Sequence, residues 1–271
     1  MIKDWTTRGF GTNICGDCRE VQLENIRLEE ESEIQVSEVA IKVGEKFPDL
    51  KRRKFVSDLD HVYSQLKQSM MVGEFVPGQK LKLAELAEAF GTSHMPVREA
   101  LNQLAVVGAL ETAPRRTPSI PQAGKKRLRD LLALRVNLEC EAAQLAMVMD
   151  DGSLAKALQS INDRMDTEGN KPNPSIRKYL ELNQRFHFRL YEGCDNPDLL
   201  NLIELLWMRY GSLLNLISSG GALTFKHSQH NEIIKAVSTR DKELLDAALS
   251  IDLTSAAIAI ENEIDRSRLE N

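Results

Sequence analysis

The chain has 271 residues, of which 42% are hydrophobic, 28% charged and 5% aromatic, and its formal net charge is −5. This composition supplies the buried core of about two domains and favours a mainly α-helical protein, because aromatic residues are few. It excludes a collagen-like fibre and a membrane protein, since no apolar run approaches the roughly 18 residues of a membrane span.

Charge is unevenly distributed along the chain. Residues 55–129 contain 10 basic and 7 acidic residues, a net charge of +3. Residues 130–271 contain 15 basic and 22 acidic residues, a net charge of −7. A basic segment followed by an acidic one predicts two domains with different partners, the first of them suited to nucleic acid.

Residues 1–54 are predicted to form an N-terminal extension that is partly disordered, because their first 20 residues show no hydrophobic period. A short strand is predicted at 34–43. The extension has no apolar secretory signal, and four cysteines in so long a chain do not form a disulfide framework. We therefore expect a cytoplasmic protein.

Two of the cysteines, Cys15 and Cys18, form a lone CxxC pair in this extension. A zinc site needs about four ligands, so one chain cannot complete a site here, although two chains of a dimer would supply four cysteines. A redox role would need a thioredoxin-like context, which the sequence lacks. We interpret the pair as coincidental, and Cys140 and Cys194 as buried apolar residues.

Residues 55–122 are predicted to form a winged helix-turn-helix domain. Apolar side chains spaced three and four residues apart predict three helices, and a glycine ends each of them. These helices are predicted at 55–73, 83–90 and 93–107. The second and third are joined by a tight turn at Gly91, which is the arrangement of a helix-turn-helix.

The segment after the third helix is predicted to be the wing. Residues 110–112 and 117–120 are extended on either side of a turn, so they are expected to pair as a two-stranded hairpin. Arg115 and Arg116 lie at the tip of this hairpin. Arginines at a wing tip suit contacts with DNA phosphates or with the minor groove.

Residues 123–271 are predicted to form an all-helical bundle. Hydrophobic periodicity and the intervening Gly, Pro and Asn residues define six helices. These helices are predicted at 128–149, 154–165, 175–191, 197–216, 225–237 and 242–265. Bundles of this kind commonly bind ligands in their cores, so we expect an effector-binding and dimerisation domain.

The predicted helix-turn-helix resembles a known family. The run Pro96-Val97-Arg98-Glu99-Ala100-Leu101, set between Gly91 and Gly108, resembles the DNA-binding domain of GntR-family transcription regulators. The same spacing includes Gly73, Pro77-Gly78, Leu81, Leu86-Ala87, Ser93 and Leu104.

The bundle is similar to the FCD ligand-binding domain of the FadR-like subfamily. The motifs that carry this similarity are Leu134-Arg135-Val136-Asn137-Leu138-Glu139, Asn183-Gln184-Arg185-Phe186-His187 followed by Asn196-Pro197, and His230-Asn231-Glu232-Ile233-Ile234-Lys235-Ala236.

The resemblance implies that the N-terminal end of the third helix enters the major groove. It implies DNA contacts from Lys82, Ser93, His94, Met95, Pro96, Arg98, Arg115 and Arg116. Ser93 would cap the helix and donate to a phosphate. Arg98 would bind guanine O6 and N7 or a phosphate; the alternative for Arg98 is a surface salt bridge.

Three residues depart from the family pattern. His94 stands where many members have an arginine, Ala84 where some have a phosphate-binding arginine, and Thr117 where many have glycine. Lys82 would compensate for Ala84. These departures affect the expected operator sequence and affinity more than DNA binding itself.

The resemblance also implies a divalent-metal site, which FCD domains commonly build from one aspartate and three histidines. The matching positions hold Asn183, His187, His230 and Asp252. Two imidazoles and one carboxylate form a credible ligand set for Zn²⁺, Ni²⁺, Mn²⁺ or Fe²⁺, to which Asn183 adds a weaker neutral oxygen. The alternative is a metal-free pocket whose polar groups bind a ligand directly.

Effector binding is expected from Arg135, Asn183, His187 and His230. Arg135 would bind the carboxylate of a small organic acid with two hydrogen bonds, since family effectors are often such acids. The alternative is an ion pair within the helix with Glu139, four residues on.

These features predict a ligand-responsive transcription regulator, most commonly a repressor in this family, and not an enzyme. A homodimer would bind a palindromic double-stranded DNA operator, and the effector would shift the arrangement of its winged domains. Two alternatives remain at this point: a metalloenzyme in the bundle with the helix-turn-helix as a docking module, and a constitutive DNA-binding protein.

Overall fold

The computed structural model describes residues 57–219 and 228–269. Within these ranges the chain is mainly α-helical, as predicted, and a short 3₁₀ turn at Glu192–Cys194 follows the sixth helix. The helices are α1 (Asp58–Met71), α2 (Leu83–Phe90), α3 (His94–Val106), α4 (Lys125–Met149), α5 (Leu154–Gly169), α6 (Ile176–Tyr191), α7 (Pro197–Ser219), α8 (Ser228–Thr239) and α9 (Lys242–Leu269).

Every helix predicted from periodicity is present in the part of the chain that the structure describes. The strand predicted at 34–43, the Cys15 and Cys18 pair and the start of the helix predicted at 225–237 lie outside the described residues. None of the described helices is long and apolar enough to span a membrane.

Local capping and packing form the helix-turn-helix. The Ser57 side chain accepts a hydrogen bond from the backbone N–H of Asp60 and caps α1, and Gly91 ends α2 in the left-handed conformation with φ 62°. Buried side chains of α1 and α3, including Leu66 and Leu104, form the core of this domain. The exposed end of α3 is therefore held on a packed three-helix support.

The wing is shorter than the predicted two-stranded hairpin, and no regular strand forms among the described residues. Ser119 alone bridges to Glu111 on one side and to Lys80 on the other. Pro114 and Pro118 lack backbone N–H donors, so a longer ladder of hydrogen bonds cannot form between the two segments. The pairing with Lys80, which precedes α2, was not predicted from the sequence.

The bundle is built around α4, which packs on α6, α7 and α9. Ala142, Ala143 and Ala146 are fully buried on α4. Their small side chains let neighbouring backbone approach closely: a Cβ on Gly193 in the 3₁₀ turn would lie 3.6 Å from the Cβ of Ala146. Cys140 and Cys194 are buried free thiols, as predicted.

The winged domain contacts the bundle where α1 meets α7. A Cβ added to Gly211 on α7 would overlap the carbonyl oxygen of Met70 at the end of α1. Asn215, one turn further along α7, donates from Nδ2 to the carbonyl oxygen of Gly73 at 2.9 Å. Backbone of the two domains is thus in direct contact, which only a glycine at position 211 permits.

Gly211→Ala is expected to lower the free energy of unfolding by about 1–3 kcal/mol, because α1 must move away from α7 to admit the methyl group. Intrinsic helix propensity alone would favour alanine by about 1 kcal/mol, so the expected sign is opposite to that of an isolated helix. Urea unfolding followed by circular dichroism measures this change.

Gly193→Ala is the matched control, because its added Cβ would make only an ordinary 3.6 Å contact with Ala146. It should change stability by less than about 1 kcal/mol. If Gly211→Ala were as stable as the unmodified protein, the close contact between α1 and α7 would not exist in solution.

Candidate functional site

The N-terminal end of α3 presents four exposed side chains. Ser93, His94, Met95 and Arg98 are exposed, and Pro96 is half-buried. Ser93 occupies the N-cap position, but its side chain makes no capping hydrogen bond. Its hydroxyl group is therefore not engaged by the helix, in contrast to the capping role predicted from the sequence.

Arg98 forms no ion pair with any residue in the described ranges 57–219 and 228–269. The surface salt bridge considered as the alternative for this residue is therefore not formed there. Lys82 does form such a pair, with Glu85 at 2.6 Å, and both side chains are exposed. Exposed ion pairs of this kind contribute little stability, so Lys82 can leave Glu85 and bind another anion.

Arg115 and Arg116 are exposed at the tip of the wing. Arg115 has φ 61°, a left-handed conformation that is uncommon for a residue other than glycine. The wing tip thus bears two cations on a tight turn. Both are placed as the sequence predicted.

A second group of polar residues, two of them buried and one half-buried, lies inside the bundle. His187 on α6, His230 on α8 and Asp252 on α9 come together so that one ligand atom from each lies within 4.8 Å of the others. Nε2 of His187 is 3.3 Å from Oδ2 of Asp252, and Nε2 of His230 is 3.7 Å from Oδ1. Both histidines are 1% exposed.

A buried hydrogen-bond chain determines the tautomer of His187. The hydroxyl of Tyr191 donates to Oε2 of Glu139 at 2.6 Å, because a carboxylate paired with Arg135 can only accept. Burial, followed by the negative charge of Glu139, raises the pKa of Tyr191 well above its ordinary value, so its proton is retained. The Tyr191 oxygen must then accept from Nδ1 of His187 at 3.1 Å.

His230 is oriented in the same way by a different partner. Asn162 on α5 donates from Nδ2 to Oδ1 of Asn231 at 3.0 Å, which leaves its own Oδ1 to accept from Nδ1 of His230 at 3.3 Å. The ring of His230 also stacks on Phe186 with a centroid separation of 4.0 Å. In the neutral form of each imidazole the proton is therefore on Nδ1, and the lone pair is on Nε2, which faces Asp252.

Asp252 completes a set of three acceptors. Burial alone would raise its pKa, but the hydrogen bond from His187 and the positive charges of His230, His187 and Arg135 lower it to about 2 when the imidazoles are protonated. With neutral imidazoles, two nitrogen lone pairs and a carboxylate converge with no proton between them. Such a set fits a divalent cation, since the second nitrogen of each ligating histidine is already held by a hydrogen bond.

Asn183, the fourth predicted ligand, lies one turn before His187 on α6 and is half-buried. The three-residue cluster forms without it. Its side-chain oxygen remains a predicted ligand.

Arg135 is buried behind the cluster rather than exposed in a pocket. Its Nε donates to Oε1 of Glu139 at 2.6 Å, so the ion pair considered in the sequence analysis is present. Its guanidinium group stacks between the rings of Trp207 at 4.6 Å and Tyr210 at 4.3 Å. Cation–π contacts of this kind stabilise a desolvated arginine.

Four residues around the cluster were not predicted from the sequence: Tyr191, Asn162, Trp207 and Tyr210. Tyr191 follows His187 by four residues, so the helical spacing offered a signal. Asn162, Trp207 and Tyr210 come from helices that meet the cluster only in the folded chain. Nε1 of Trp207 is buried without a hydrogen-bond partner among the described residues.

Comparison with known families matches both halves of this architecture. The family of bacterial regulatory proteins known as gntR matches residues 59–117, and the FCD domain matches residues 130–254.

Individual relatives give the same result. The chain is 29% identical to the HTH-type transcriptional regulator McbR of Escherichia coli (strain K12), over 72% of this chain and 89% of that protein. It is 30% identical to the uncharacterized HTH-type transcriptional regulator YdhC of Bacillus subtilis (strain 168), over 67% and 81% of the two chains.

One solved structure shows the same fold over most of the chain. The structure of E. coli McbR/YncC superposes with a TM-score of 0.71 at 27% identity, covering 78% of this chain and 100% of that chain. Another relative, the HTH-type transcriptional repressor GlaR of E. coli (strain K12), is 26% identical over 66% of this chain and 84% of that protein.

Proposed function

Because the chain belongs to the GntR family of bacterial regulatory proteins and carries an FCD domain, we propose that it is a dimeric repressor controlled by a small organic acid. It is a transcription regulator and not an enzyme, so the metalloenzyme hypothesis has no support. Repression is proposed because relatives such as GlaR are named repressors. We place the protein in the cytoplasm, where it would meet its operator.

The observation that carries the DNA-binding proposal is the exposed end of α3 on a packed helix-turn-helix. Ser93, His94, Met95, Pro96 and Arg98 would enter the major groove. Lys82 and the wing arginines Arg115 and Arg116 would contact phosphates or the minor groove.

A homodimer would place two such surfaces on a palindromic operator. We propose residues 55–122 as the DNA-binding domain and residues 123–271 as the effector-binding and dimerisation domain. The ranges matched by the two families, 59–117 and 130–254, fall within them.

The buried cluster supports a divalent metal as part of the effector site. His187, His230 and Asp252 would hold Zn²⁺, Ni²⁺, Mn²⁺ or Fe²⁺, with Asn183 as a fourth, weaker ligand. The metal would supply an open coordination position for an oxygen atom of a small carboxylate. Two neutral imidazoles and one carboxylate leave the ligand set with one negative charge, which favours a cation.

Protein donors near the cluster suit the rest of such an effector. The ring of Trp207 lies 5.4 Å from that of His187, tilted by 53°. Its Nε1–H is buried without a hydrogen-bond partner among the described residues. Arg135 remains our proposed ligand for the effector carboxylate, although Glu139 engages its Nε and Nη2 atoms.

Two helices connect the proposed effector site to the winged domain. On α6, Gln184 precedes His187 by one turn, and its Oε1 accepts from Nε2 of Gln68 on α1 at 2.6 Å. On α7, Trp207 precedes Gly211, which touches the end of α1. An effector that favours one position of α6 or α7 would therefore bias the winged domains between two arrangements.

The proposal is tested by selecting bound fragments from a random DNA pool at two salt concentrations. Recovery of one short palindrome that persists at the higher salt concentration is expected, because contacts with base edges survive when counterion release weakens. Recovery of unpatterned DNA that is lost at higher salt would contradict sequence-specific binding by a dimer. Repeating the selection in the presence of a metal chelator shows whether the metal affects DNA binding.

A further inference from the structure

Two arginines that form no salt bridge with any described residue lie where the base of the wing meets the bundle. Arg127 is in the first turn of α4, and Arg209 is in the middle of α7. The guanidinium group of Arg209 lies against Gly108, since a Cβ at Gly108 would be 3.5 Å from its Cζ and Nη2 atoms. Both arginines therefore belong to the junction that follows α3.

Part of each guanidinium group is buried and unsatisfied. Nη2 of Arg127 and Nε of Arg209 are shielded from solvent and have no hydrogen-bond partner among the described residues. Neither arginine forms a salt bridge within the part of the chain that the structure describes. A buried N–H group of a charged side chain that lacks an acceptor costs free energy.

The two side chains also repel each other. The pKa of Arg127 is lowered by burial and then by the positive charge of Arg209, and only Glu111 in the wing opposes this effect. Helix α4 adds to the positive potential, because its first turn has no acidic residue and its N-cap, Gly124, provides no side-chain cap. Positive charge therefore exceeds negative charge at this junction.

We propose that Arg127 and Arg209 bind a small oxyanion, such as phosphate or a carboxylate, between the base of the wing and the bundle. A guanidinium group presents paired N–H donors that match the oxygens of such anions. Both side chains are only half-buried, so a small ion can approach them from solvent.

This site is separate from the buried histidine cluster. Arg135 supports that cluster and lies eight residues after Arg127, which is about 12 Å along the axis of α4. A bound oxyanion would neutralise both arginines and link the segment beginning at Gly108 to α4 and α7. Anion binding at this junction requires neither DNA nor the effector.

Titration calorimetry of the full chain with sodium phosphate, at constant ionic strength in sodium chloride, tests the site. The unmodified protein is expected to bind phosphate with saturation and one site per chain. Arg127→Gln and Arg209→Gln are each expected to weaken this binding by about tenfold or more, because each removes one guanidinium group. Arg129→Gln is the matched control, since Arg129 pairs with Glu261 instead, and its affinity should change by less than about twofold.

Glu111→Gln provides a test with the opposite sign. The Glu111 side chain is exposed, and its negative charge favours the charged form of Arg127. The same negative charge would repel a bound phosphate, so removing it should tighten phosphate binding. Thermal unfolding with and without phosphate gives a second measurement, in which only the phosphate-dependent rise in Tm is compared between variants. This comparison stays valid if a variant differs in basal stability.

Parallel titrations with sulfate and acetate identify the anion class. Tighter binding of phosphate and sulfate would assign a tetrahedral oxyanion, and tighter binding of acetate would assign a carboxylate. The absence of saturable binding by all three anions would overturn the proposal. So would equal anion affinities in the unmodified protein and in both the Arg127→Gln and Arg209→Gln variants.

Discussion

Arg98→Ala is expected to weaken specific DNA binding by about 1–3 kcal/mol per half-site, and by about twice that for a dimer. Arg98 is exposed at the reading end of α3 and has no ion pair among the described residues, so its guanidinium group is available to DNA. Fluorescence anisotropy with the selected operator measures the loss. Because the side chain is exposed, the substitution should leave the unfolding temperature nearly unchanged.

Titration at several salt concentrations distinguishes the two contacts that Arg98 can make. If it binds guanine, the loss is confined to the operator and absent from random DNA. If Arg98 binds a phosphate, affinity falls for the operator and for random DNA alike. The slope of log affinity against log salt concentration then becomes shallower by about one per protomer. Arg164→Ala, an exposed arginine on α5, is the matched control and should bind DNA normally. Unchanged operator affinity in Arg98→Ala would remove Arg98 from the interface.

His187→Ala is expected to lower the affinity for a divalent metal by about a hundredfold or more, because it removes one of three convergent protein ligands. After incubation with Zn²⁺ or Ni²⁺ and dialysis, the unmodified protein should retain metal and the variant should not. Elemental analysis of the dialysed protein measures this directly. His230→Ala should behave in the same way, since its Nε2 atom also faces Asp252.

Tyr191→Phe tests the hydrogen-bond chain behind the ligand. It keeps His187 but removes the hydroxyl that holds Nδ1, so metal affinity should fall by about 10- to 100-fold. His94→Ala is the control, because His94 lies on the exposed end of α3, outside the cluster. If the unmodified protein retained no metal after dialysis, the cluster would be a metal-free polar site and the metal proposal would be wrong.

These two predictions address opposite ends of one proposed regulator. The Arg98 variant should lose operator binding while it keeps the metal, and the His187 variant should lose the metal while its α3 surface is intact. A change in operator affinity on metal removal from the unmodified protein would measure the coupling free energy between the two sites. This coupling would be transmitted through the contact of Gln68 with Gln184 and that of Met70 with Gly211.

The helices were predictable from the sequence because their hydrophobic period is local. Helix α2 was predicted at 83–90 and is observed at Leu83–Phe90, since Gly91 supplies the left-handed end that the pattern requires. The wing was predicted less well. Its pairing of Ser119 with Lys80 joins residues far apart in sequence, and two prolines limit the ladder that alternation alone suggested.

The candidate site was predictable only in part. Helical spacing alone connects Arg135 with Glu139 and His187 with Tyr191, because residues four apart share one face of a helix. The ion pair of Arg135 with Glu139 was one of the two alternatives predicted for Arg135, whereas the hydrogen bond of His187 with Tyr191 was not predicted. That His187, His230 and Asp252 belong together came from resemblance to a family, since three separate helices supply them.

The sequence by itself determined the helical class, the two-part organisation and the exposed basic end of α3, because periodicity, capping and local charge act within a few residues. Only the tertiary structure decided which nitrogens of His187 and His230 face Asp252, because their orientation depends on Tyr191, Glu139 and Asn162. It also decided that Arg135 is enclosed by aromatic rings and that Arg127 and Arg209 share a junction. The groups that surround a charged side chain are set by the way the helices pack together. The local sequence does not encode that packing.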